Sequence, residues 1–303
     1  MTLDKTKILI IISGPTAVGK TAVAIAVARH FGSEIISADS RQIYREMSIG
    51  TAVPSPEEMK AVRHHFIQNK SVYDYYNAFM YETEVIKLLE DLFRRMNSVI
   101  MAGGSGLYIN AVCHGIDDIP TVEPAVRQEM KELYAWEGIE GLRSLLKKVD
   151  PEYYKKADLR NPKRLLKALE ITVQAGRPYS SFLTQTRKQR PFRILKAGLD
   201  LPREELYDRI NRRVDRMIET GLMEEARRLY PHRDTNALNT VGYKELFDYF
   251  DKKISLDEAI TRIKANTRKY ARKQLTWFRK DPDIRWFHPE EKDKIIEWIE
   301  SSI

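Results

Sequence analysis

Eight residues near the N-terminus match G-x-x-x-x-G-K-[ST] at every fixed position: Gly14-Pro15-Thr16-Ala17-Val18-Gly19-Lys20-Thr21. A continuous apolar run at 8–12 precedes them, and an alanine-rich segment at 22–28 with no helix breaker follows them. A strand, a glycine-rich loop and a helix in this order surround an anion with backbone N–H groups and the positive end of a helix dipole. The sequence therefore predicts a diphosphate-binding loop, in which Lys20 adds a full charge and Thr21 offers its hydroxyl to Mg²⁺.

Further along the chain, apolar strands alternate with helices and end in polar or glycine-rich turns. The run 34–38 predicts a second strand that ends at Asp39-Ser40-Arg41-Gln42. An amphipathic helix is predicted at 78–95, and a third strand at 98–102 before the turn at 103–106. This alternation indicates an α/β fold: a P-loop NTPase-like parallel sheet core with helices on both faces. In such sheets, ligands bind at the carboxyl ends of the strands.

The alternation of strands and helices breaks near residue 116. From Ala125 to about Arg190 the chain is charged, with candidate helices at 125–136, 139–148 and 162–175. A short strand at 194–199 and a helix from Arg203 to about Thr220 follow. We therefore predict three segments: 1–115 as the N-terminal part of the P-loop core, 116–190 as a mostly α-helical insertion, and 191–303 as the helical C-terminal part of the core.

Composition favours a cytoplasmic protein without a membrane partner. Of the 303 residues 43% are hydrophobic, and no apolar run approaches the roughly 18 residues that span a bilayer. The first residues do not form a signal-peptide pattern. The single cysteine, Cys113, excludes an internal disulfide framework and is expected to be a buried thiol. His64 and His65 lack the spacing and partners of a metal site. A monomer is the default expectation.

The net charge of +8 is unevenly distributed. Between 262 and 280 there are basic residues and no acidic ones, and three aromatic side chains lie among them. In a helix, Lys264, Arg268 and Arg272 would stack on one face at four-residue spacing, and we call these three the basic stripe. Such a stripe suits the phosphates and stackable bases of nucleic acid, and the alternative is a solvated helix face. The interleaved aromatic residues are Tyr270, Trp277 and Phe278.

A second arginine-rich face is predicted on the helix that starts at Arg203. Arg209, Arg213 and Arg216 lie together there at helical spacing. Anions or acidic side chains are expected to face them, and pairing with Asp208 and Asp215 is the less specific alternative.

A phosphate-binding loop alone leaves kinases, ATPases, GTPases and transferases open. Asn69-Lys70 does not continue into the guanine-reading N-K-x-D pattern, and the third strand ends without the acid of a Walker B strand. The carboxylate expected near the loop is Asp39, which could serve as a metal partner or as a base.

An ordered series of motifs narrows this choice. It runs G-P-T-A-V-G-K-T at 14–21, D-S-R-Q-I-Y at 39–44, I-G-T-A at 49–52, H-H-F-I at 64–67, A-G-G-S-G-L-Y at 102–108, N-P-K-R-L-L-K-A-L-E at 161–170, R-I-N-R-R-V at 209–214, V-G-Y-K-E at 241–245 and R-K-Q-L-T-W-F-R at 272–279. With this series, the chain resembles the bacterial tRNA dimethylallyltransferases, also called tRNA isopentenyltransferases, over nearly its whole length.

The resemblance implies transfer of a dimethylallyl group from dimethylallyl diphosphate to N6 of the adenosine that follows the anticodon. It implies Mg²⁺ as cofactor, the tRNA anticodon stem-loop as partner, and an insertion that grips the anticodon stem. By resemblance, Asp39 is the general base, Thr16 lies where diphosphate, prenyl chain and adenine meet, and residues 14–21 hold the diphosphate. Arg213 is the expected diphosphate arginine, and Arg209 is the alternative.

The remaining positions that the resemblance assigns are contacts to the tRNA. They are Asp39, Ser40, Arg41, Gln42, Ser105, Arg127, Lys163, Arg164, Leu165, Leu166 and Lys167, in addition to the basic stripe. Relatives often carry an aspartate at position 68, where this chain has Gln68.

Three competing functions remain open at this point. An isopentenyltransferase acting on free adenine nucleotides shares the loop and the base, but it has no use for a large RNA-gripping insertion. A small-molecule kinase would require ATP. A non-catalytic RNA-binding protein would keep the loop only as a nucleotide sensor.

Overall fold

The computed structural model describes residues 4–184 and 187–303. Contacts divide the chain into two compact units, one formed by the described part of Met1–His114 with Gln189–Ile303 and the other by Gly115–Lys188. None of the helices in the described ranges combines the length and apolar character of a membrane span.

The described residues form six strands and twelve α-helices. The strands are β1 (Asp4–Ser13), β2 (Ile35–Ser37), β3 (His64–His65), β4 (Ser98–Gly103), β5 (Phe192–Leu199) and β6 (Ile284–Phe287). The helices are α1 (Lys20–His30), α2 (Pro56–Ala61), α3 (Ala78–Phe93), α4 (Gly106–His114), α5 (Pro124–Val149), α6 (Pro151–Lys156), α7 (Pro162–Ala175), α8 (Arg203–Glu219), α9 (Leu222–Leu229), α10 (Tyr243–Phe250), α11 (Leu256–Phe278) and α12 (Lys292–Ser302).

The strands form one parallel sheet in the order β3-β2-β4-β1-β5-β6. β1 lies at the centre, and its residues 8–12 are at most 1% exposed, as their uninterrupted apolar sequence predicts for a strand covered on both faces. The predicted α/β fold is confirmed. The chain first builds the β2 and β4 side of β1 and then crosses to β5 and β6. This reversal places a ligand-binding switch point at the carboxyl end of β1.

Helices cover the sheet and enclose the core of the first unit. Val23 and Val27 of α1, Ile210 of α8 and Ile295 of α12 are buried in one cluster with the apolar residues of β1. The sequence predicts neither β3 nor β6, which are the short edge strands of the sheet. Cys113 is buried, as predicted, and burial raises the pKa of its thiol to about 12.

The second unit is built from α5, α6 and α7 around its own apolar core. Leu142, Leu146, Leu165 and Leu169 are fully buried in this core. Gly138 adopts a left-handed φ of 65° and interrupts α5, which separates the helices predicted at 125–136 and 139–148.

Candidate active site

The loop after β1 forms a concavity at the carboxyl edge of the sheet. Gly14 has a φ of 147°, and a Cβ at this position would lie 2.7 Å from the carbonyl oxygen of Leu199, so only glycine fits between β1 and β5. Ala17 is also left-handed, with a φ of 67°, and α1 begins at Lys20. Positive φ values of this kind are typical of loops whose N–H groups surround an anion, and the N-terminus of α1 adds partial positive charge.

Lys20, Asp39 and Arg213 come together beside this loop. The pKa of Lys20 is lowered to about 8, chiefly by burial; the charge of Asp39 raises it and that of Arg213 lowers it. Burial likewise lowers the pKa of Arg213, against the opposing effect of Asp39. The Lys20 ammonium donates to the Pro15 carbonyl oxygen at 2.6 Å. Two cations therefore flank one carboxylate in a desolvated site, which is an arrangement suited to a polyanion and a proton transfer.

Each oxygen of the Asp39 carboxylate has its own environment. Oδ1 accepts the backbone N–H of Arg41 at 2.9 Å and, more weakly, that of Gln42 at 3.4 Å. Oδ2 accepts no hydrogen bond from the residues that the structure describes. Oδ1 thus stabilises the turn that follows β2, as aspartate side chains commonly do in turns. Oδ2 is available to a ligand.

The turns after β2 and β4 are joined by two serines. The Ser40 N–H donates to Oγ of Ser105 at 2.9 Å, and the Ser105 hydroxyl donates to Oγ of Ser40 at 3.2 Å. The structure therefore brings together two predicted tRNA contacts that are far apart in sequence.

Gln42 has a different environment from its neighbours in the turn. Its amide nitrogen donates to the carbonyl oxygens of Thr51 and Ala52 at 3.2 and 2.8 Å, and Ser37 donates to its amide oxygen. Its side chain therefore anchors Thr51 and Ala52, and the RNA contact expected at this position stays a prediction.

Two phenol groups, those of Tyr270 and Tyr108, lie within the electrostatic reach of Asp39. Tyr270 on α11 is 43% exposed as a whole, but its hydroxyl end is desolvated, and this desolvation, followed by the charge of Asp39, raises the pKa of Tyr270 to about 12. Burial also raises the pKa of Tyr108 on α4, with smaller contributions from Tyr44 and Asp39. These hydroxyls stay protonated at neutral pH and can donate hydrogen bonds. The sequence analysis assigned no site role to Tyr108, which the A-G-G-S-G-L-Y motif contains.

Arg209 lies beside Gly19 of the loop. It pairs with Glu205 at 2.8 Å, and a Cβ at Gly19 would lie 3.8 Å from its Nη1 atom. Both candidate diphosphate arginines thus border the loop, but only Arg213 shares the environment of Lys20 and Asp39.

Comparison with known proteins places this geometry in a family. Residues 42–281 match the family model described as IPP transferase. The chain is 53% identical over 297 residues to tRNA dimethylallyltransferase 1 of Bacteroides fragilis, covering 98% of this chain and 99% of that one. The chain belongs to the IPP transferase family.

Two solved structures show how far the likeness to IPP transferases extends. The tRNA isopentenylpyrophosphate transferase of Bacillus halodurans superposes with a TM-score of 0.71 at 37% identity, over 98% of this chain and 96% of that one. A eukaryotic dimethylallyltransferase acting on tRNA gives a TM-score of 0.76 at 27% identity, over 93% of this chain and 74% of that one.

In this IPP transferase the donors near the loop suit a magnesium ion that binds together with a phosphate ligand. Among the described residues, no three histidine, cysteine or carboxylate side chains cluster as a metal site. The half-buried Thr21 hydroxyl, on the second residue of α1, is the protein oxygen that fits a Mg²⁺ otherwise held by phosphate oxygens and water.

The basic stripe of α11 makes its contacts with α8. Lys264 pairs with Asp215 at 2.5 Å, Arg268 donates to Asn211 at 2.6 Å, and Arg272 donates to the Tyr207 hydroxyl at 2.8 Å. The stripe therefore packs against a neighbouring helix, an arrangement that differs from the solvated face expected as the alternative to RNA binding. Two of the aromatic residues, Tyr270 and Trp277, are 43% and 44% exposed, whereas Phe278 is buried in the core.

In the second unit, the predicted tRNA contacts divide into surface and core positions. Lys163, Arg164 and Lys167 are exposed on α7, and we call them the α7 basic face. Leu165 is fully buried, so it supports the helix from inside and the prediction of a direct RNA contact is corrected; Leu166 is half-buried against the same core. Arg127 lies near Glu170, and its Nε atom is buried without a hydrogen-bond partner within the described ranges.

A buried carboxylate that the sequence analysis missed holds the I-G-T-A segment. Glu225 is 2% exposed and accepts the backbone N–H groups of Ser48, Ile49 and Gly50 at 2.9 Å each, together with the Tyr243 hydroxyl at 2.7 Å. The V-G-Y-K-E motif includes Tyr243. No sequence pattern distinguishes its partner Glu225 from the other acidic residues of a charged helix.

Proposed function

We propose that this chain transfers a dimethylallyl group from dimethylallyl diphosphate to N6 of the adenosine at position 37 of tRNA. The products are N6-dimethylallyladenosine and diphosphate. The observation that carries the proposal is the grouping of Lys20, Asp39 and Arg213 beside a phosphate-binding loop, in a family whose relatives are named tRNA dimethylallyltransferases.

The site matches the two requirements of this reaction. The exocyclic amine of adenine is a weak nucleophile because its lone pair is delocalised into the ring. As N6 forms a bond to C1 of the allyl group and the C1–O bond breaks, the N6 proton needs an acceptor, and Oδ2 of Asp39 is available for it. The negative charge that develops on the leaving diphosphate meets Lys20, Arg213 and the loop N–H groups.

Mg²⁺ is part of the proposal as the cofactor of diphosphate departure. The Thr21 hydroxyl would hold it together with diphosphate oxygens, and when bound it would neutralise charge on the leaving group. A monomer that acts in the cytoplasm remains our expectation.

The tRNA partner is favoured over a free nucleotide by the second unit. Its exposed α7 basic face gives a surface for the phosphates of an RNA stem. The target adenosine lies in a loop, so its base must leave the stack to reach Asp39.

The proposal is tested by incubating the purified protein with labelled dimethylallyl diphosphate and either tRNA or AMP. We expect label in tRNA and, by mass spectrometry of the digested nucleosides, N6-dimethylallyladenosine. Label in AMP alone would instead identify an adenylate isopentenyltransferase. Consumption of labelled ATP in a parallel reaction would identify a kinase, and no turnover in any reaction would leave a binding protein.

A further inference from the structure

A neutral, buried side chain connects α11 with the phosphate-binding loop. Gln274 is 6% exposed. Its amide oxygen accepts the backbone N–H of Thr16 at 2.9 Å, and its amide nitrogen donates to the carbonyl oxygen of Gly104 at 2.9 Å. One side chain thus bridges the turns that follow β1 and β4.

The two partners fix both the type of residue and its orientation. Thr16 presents a donor and Gly104 an acceptor, so the bridging side chain must accept at one end and donate at the other, which a carboxamide does. A Cβ at Gly104 would lie 2.3 Å from Nε2 of Gln274, so the turn has glycine where the amide approaches closely.

Neighbouring residues show that this face of α11 lies over the site. Tyr270, one turn before Gln274, lies within the electrostatic reach of Asp39. Trp277, three residues after Gln274, packs on the turn before α4: a Cβ at Gly106 would lie 2.3 Å from its ring. Gln274 therefore lies on the face of α11 that also carries Tyr270 and Trp277.

We propose that Gln274 is a positioning residue for the transfer reaction: it fixes the Thr16 peptide and thereby directs the Thr16 side chain and the following loop N–H groups toward the diphosphate. The proposal rests on the proposed function of the site. Since the Thr16 N–H is used by Gln274 and the Val18 N–H donates to the Pro15 carbonyl oxygen at 3.5 Å, the amide donors left for the diphosphate are those of Ala17, Gly19, Lys20 and Thr21.

The test compares Gln274→Met, which has a similar shape but lacks the strong donor and acceptor, with Gln274→Glu. In Gln274→Met the loop loses its anchor, and we expect kcat to fall about 10–100-fold, as for a small misplacement of reacting groups. The KM for tRNA should stay within about twofold. Thr276→Val, an exposed change on the same helix, is the matched control and should keep wild-type kcat.

Gln274→Glu adds a second measurement, the pH dependence of kcat, which a mere loss of stability would not reproduce. A protonated glutamate can accept from the Thr16 N–H and donate to the Gly104 carbonyl oxygen, as glutamine does. An ionised glutamate has no proton to donate, so its oxygen repels the Gly104 carbonyl oxygen. The ratio of kcat for this variant to wild-type kcat should therefore rise as the pH falls from 8 to 5.5, by about tenfold. The charged and ionisable groups near the loop, Lys20, Asp39 and Tyr270, are present in both proteins, so their effects on kcat largely cancel in the ratio.

The failures of the two proposals are distinguishable. If the wild-type protein does not prenylate tRNA, the proposed function fails. If it does, while Gln274→Met keeps kcat within threefold of wild type and the Gln274→Glu ratio is independent of pH, the positioning role of Gln274 is overturned.

Discussion

In the proposed reaction, the Asp39 carboxylate would serve both the fold and the chemistry. Its Oδ1 atom accepts the N–H groups that shape the turn after β2, and its Oδ2 atom is open to a substrate. Because both functions use the same group, replacing it by alanine removes the turn contacts as well as the base. A variant that keeps one oxygen acceptor separates the two.

Asp39→Asn is that variant. Its amide oxygen can still accept from Arg41 and Gln42, but it cannot take up the N6 proton. We expect kcat to fall by about 10²–10⁴-fold, while the Kd for tRNA stays within about twofold and thermal stability is unchanged. Single-turnover kinetics and tRNA binding measure the two effects, and near-normal turnover would show that Asp39 is not the base.

We expect the charge of Lys20 to make the proposed reaction sensitive to alkaline pH. The lowered pKa of its buried ammonium, about 8, means that the lysine is charged below this pH and loses its charge as the pH rises through it. The kcat/KM for dimethylallyl diphosphate reports on the free enzyme and should fall about tenfold between pH 7 and pH 9. Lys20→Arg, whose charge does not titrate in this range, should lack this decline; the same decline in the arginine variant would assign it to another group.

At the scale of elements, the strength of each sequence signal decides what could be predicted. β1, β4 and the loop between β1 and α1 follow from local patterns: β-branched runs, and glycines at fixed spacing. β3 is two residues long, too short to show a period. Contacts between distant elements leave no local pattern: Gln274 bonds to Thr16 across 258 positions, and Glu225 bonds to Gly50 across 175.

The Glu225 anchor predicts a measurable contribution to stability. In Glu225→Gln an amide NH₂ replaces one carboxylate oxygen, so it faces backbone N–H donors of the segment 48–50 that then have no acceptor. We expect a loss of about 1–3 kcal/mol in the free energy of unfolding, measured by urea denaturation. Glu224→Gln, the exposed neighbour on α9, should change stability by less than about 0.5 kcal/mol; equal losses in both variants would contradict the anchor.

For the whole molecule, we expect the two units to have different roles: the first would bind the diphosphate and the second would bind tRNA phosphates. The diphosphate site belongs to the first unit and the α7 basic face to the second. The sequence predicts RNA contacts on both α7 and the basic stripe of α11, because spacing alone does not reveal whether a neighbouring helix already occupies a charged face. In the structure α8 provides partners for all three stripe residues.

The two basic surfaces should therefore respond differently to replacement by alanine. Joint replacement of the α7 basic face should weaken tRNA binding. The slope of log K for tRNA binding against log salt concentration should become shallower by about two, and the KM for dimethylallyl diphosphate should be unchanged. Joint replacement of the basic stripe should mainly lower the unfolding free energy. Binding titrations at several salt concentrations decide between them, and a larger slope change in the stripe variant would restore the stripe to the RNA interface.

The most direct test of the account is a crystal structure with an anticodon stem-loop and a thio analogue of dimethylallyl diphosphate that does not react. We expect the diphosphate on the loop amides and Lys20. The flipped adenine should have N6 within hydrogen-bond distance of Oδ2 of Asp39 and in line with C1 of the prenyl group. A diphosphate bound elsewhere, or an adenine amine held away from Asp39, would contradict it.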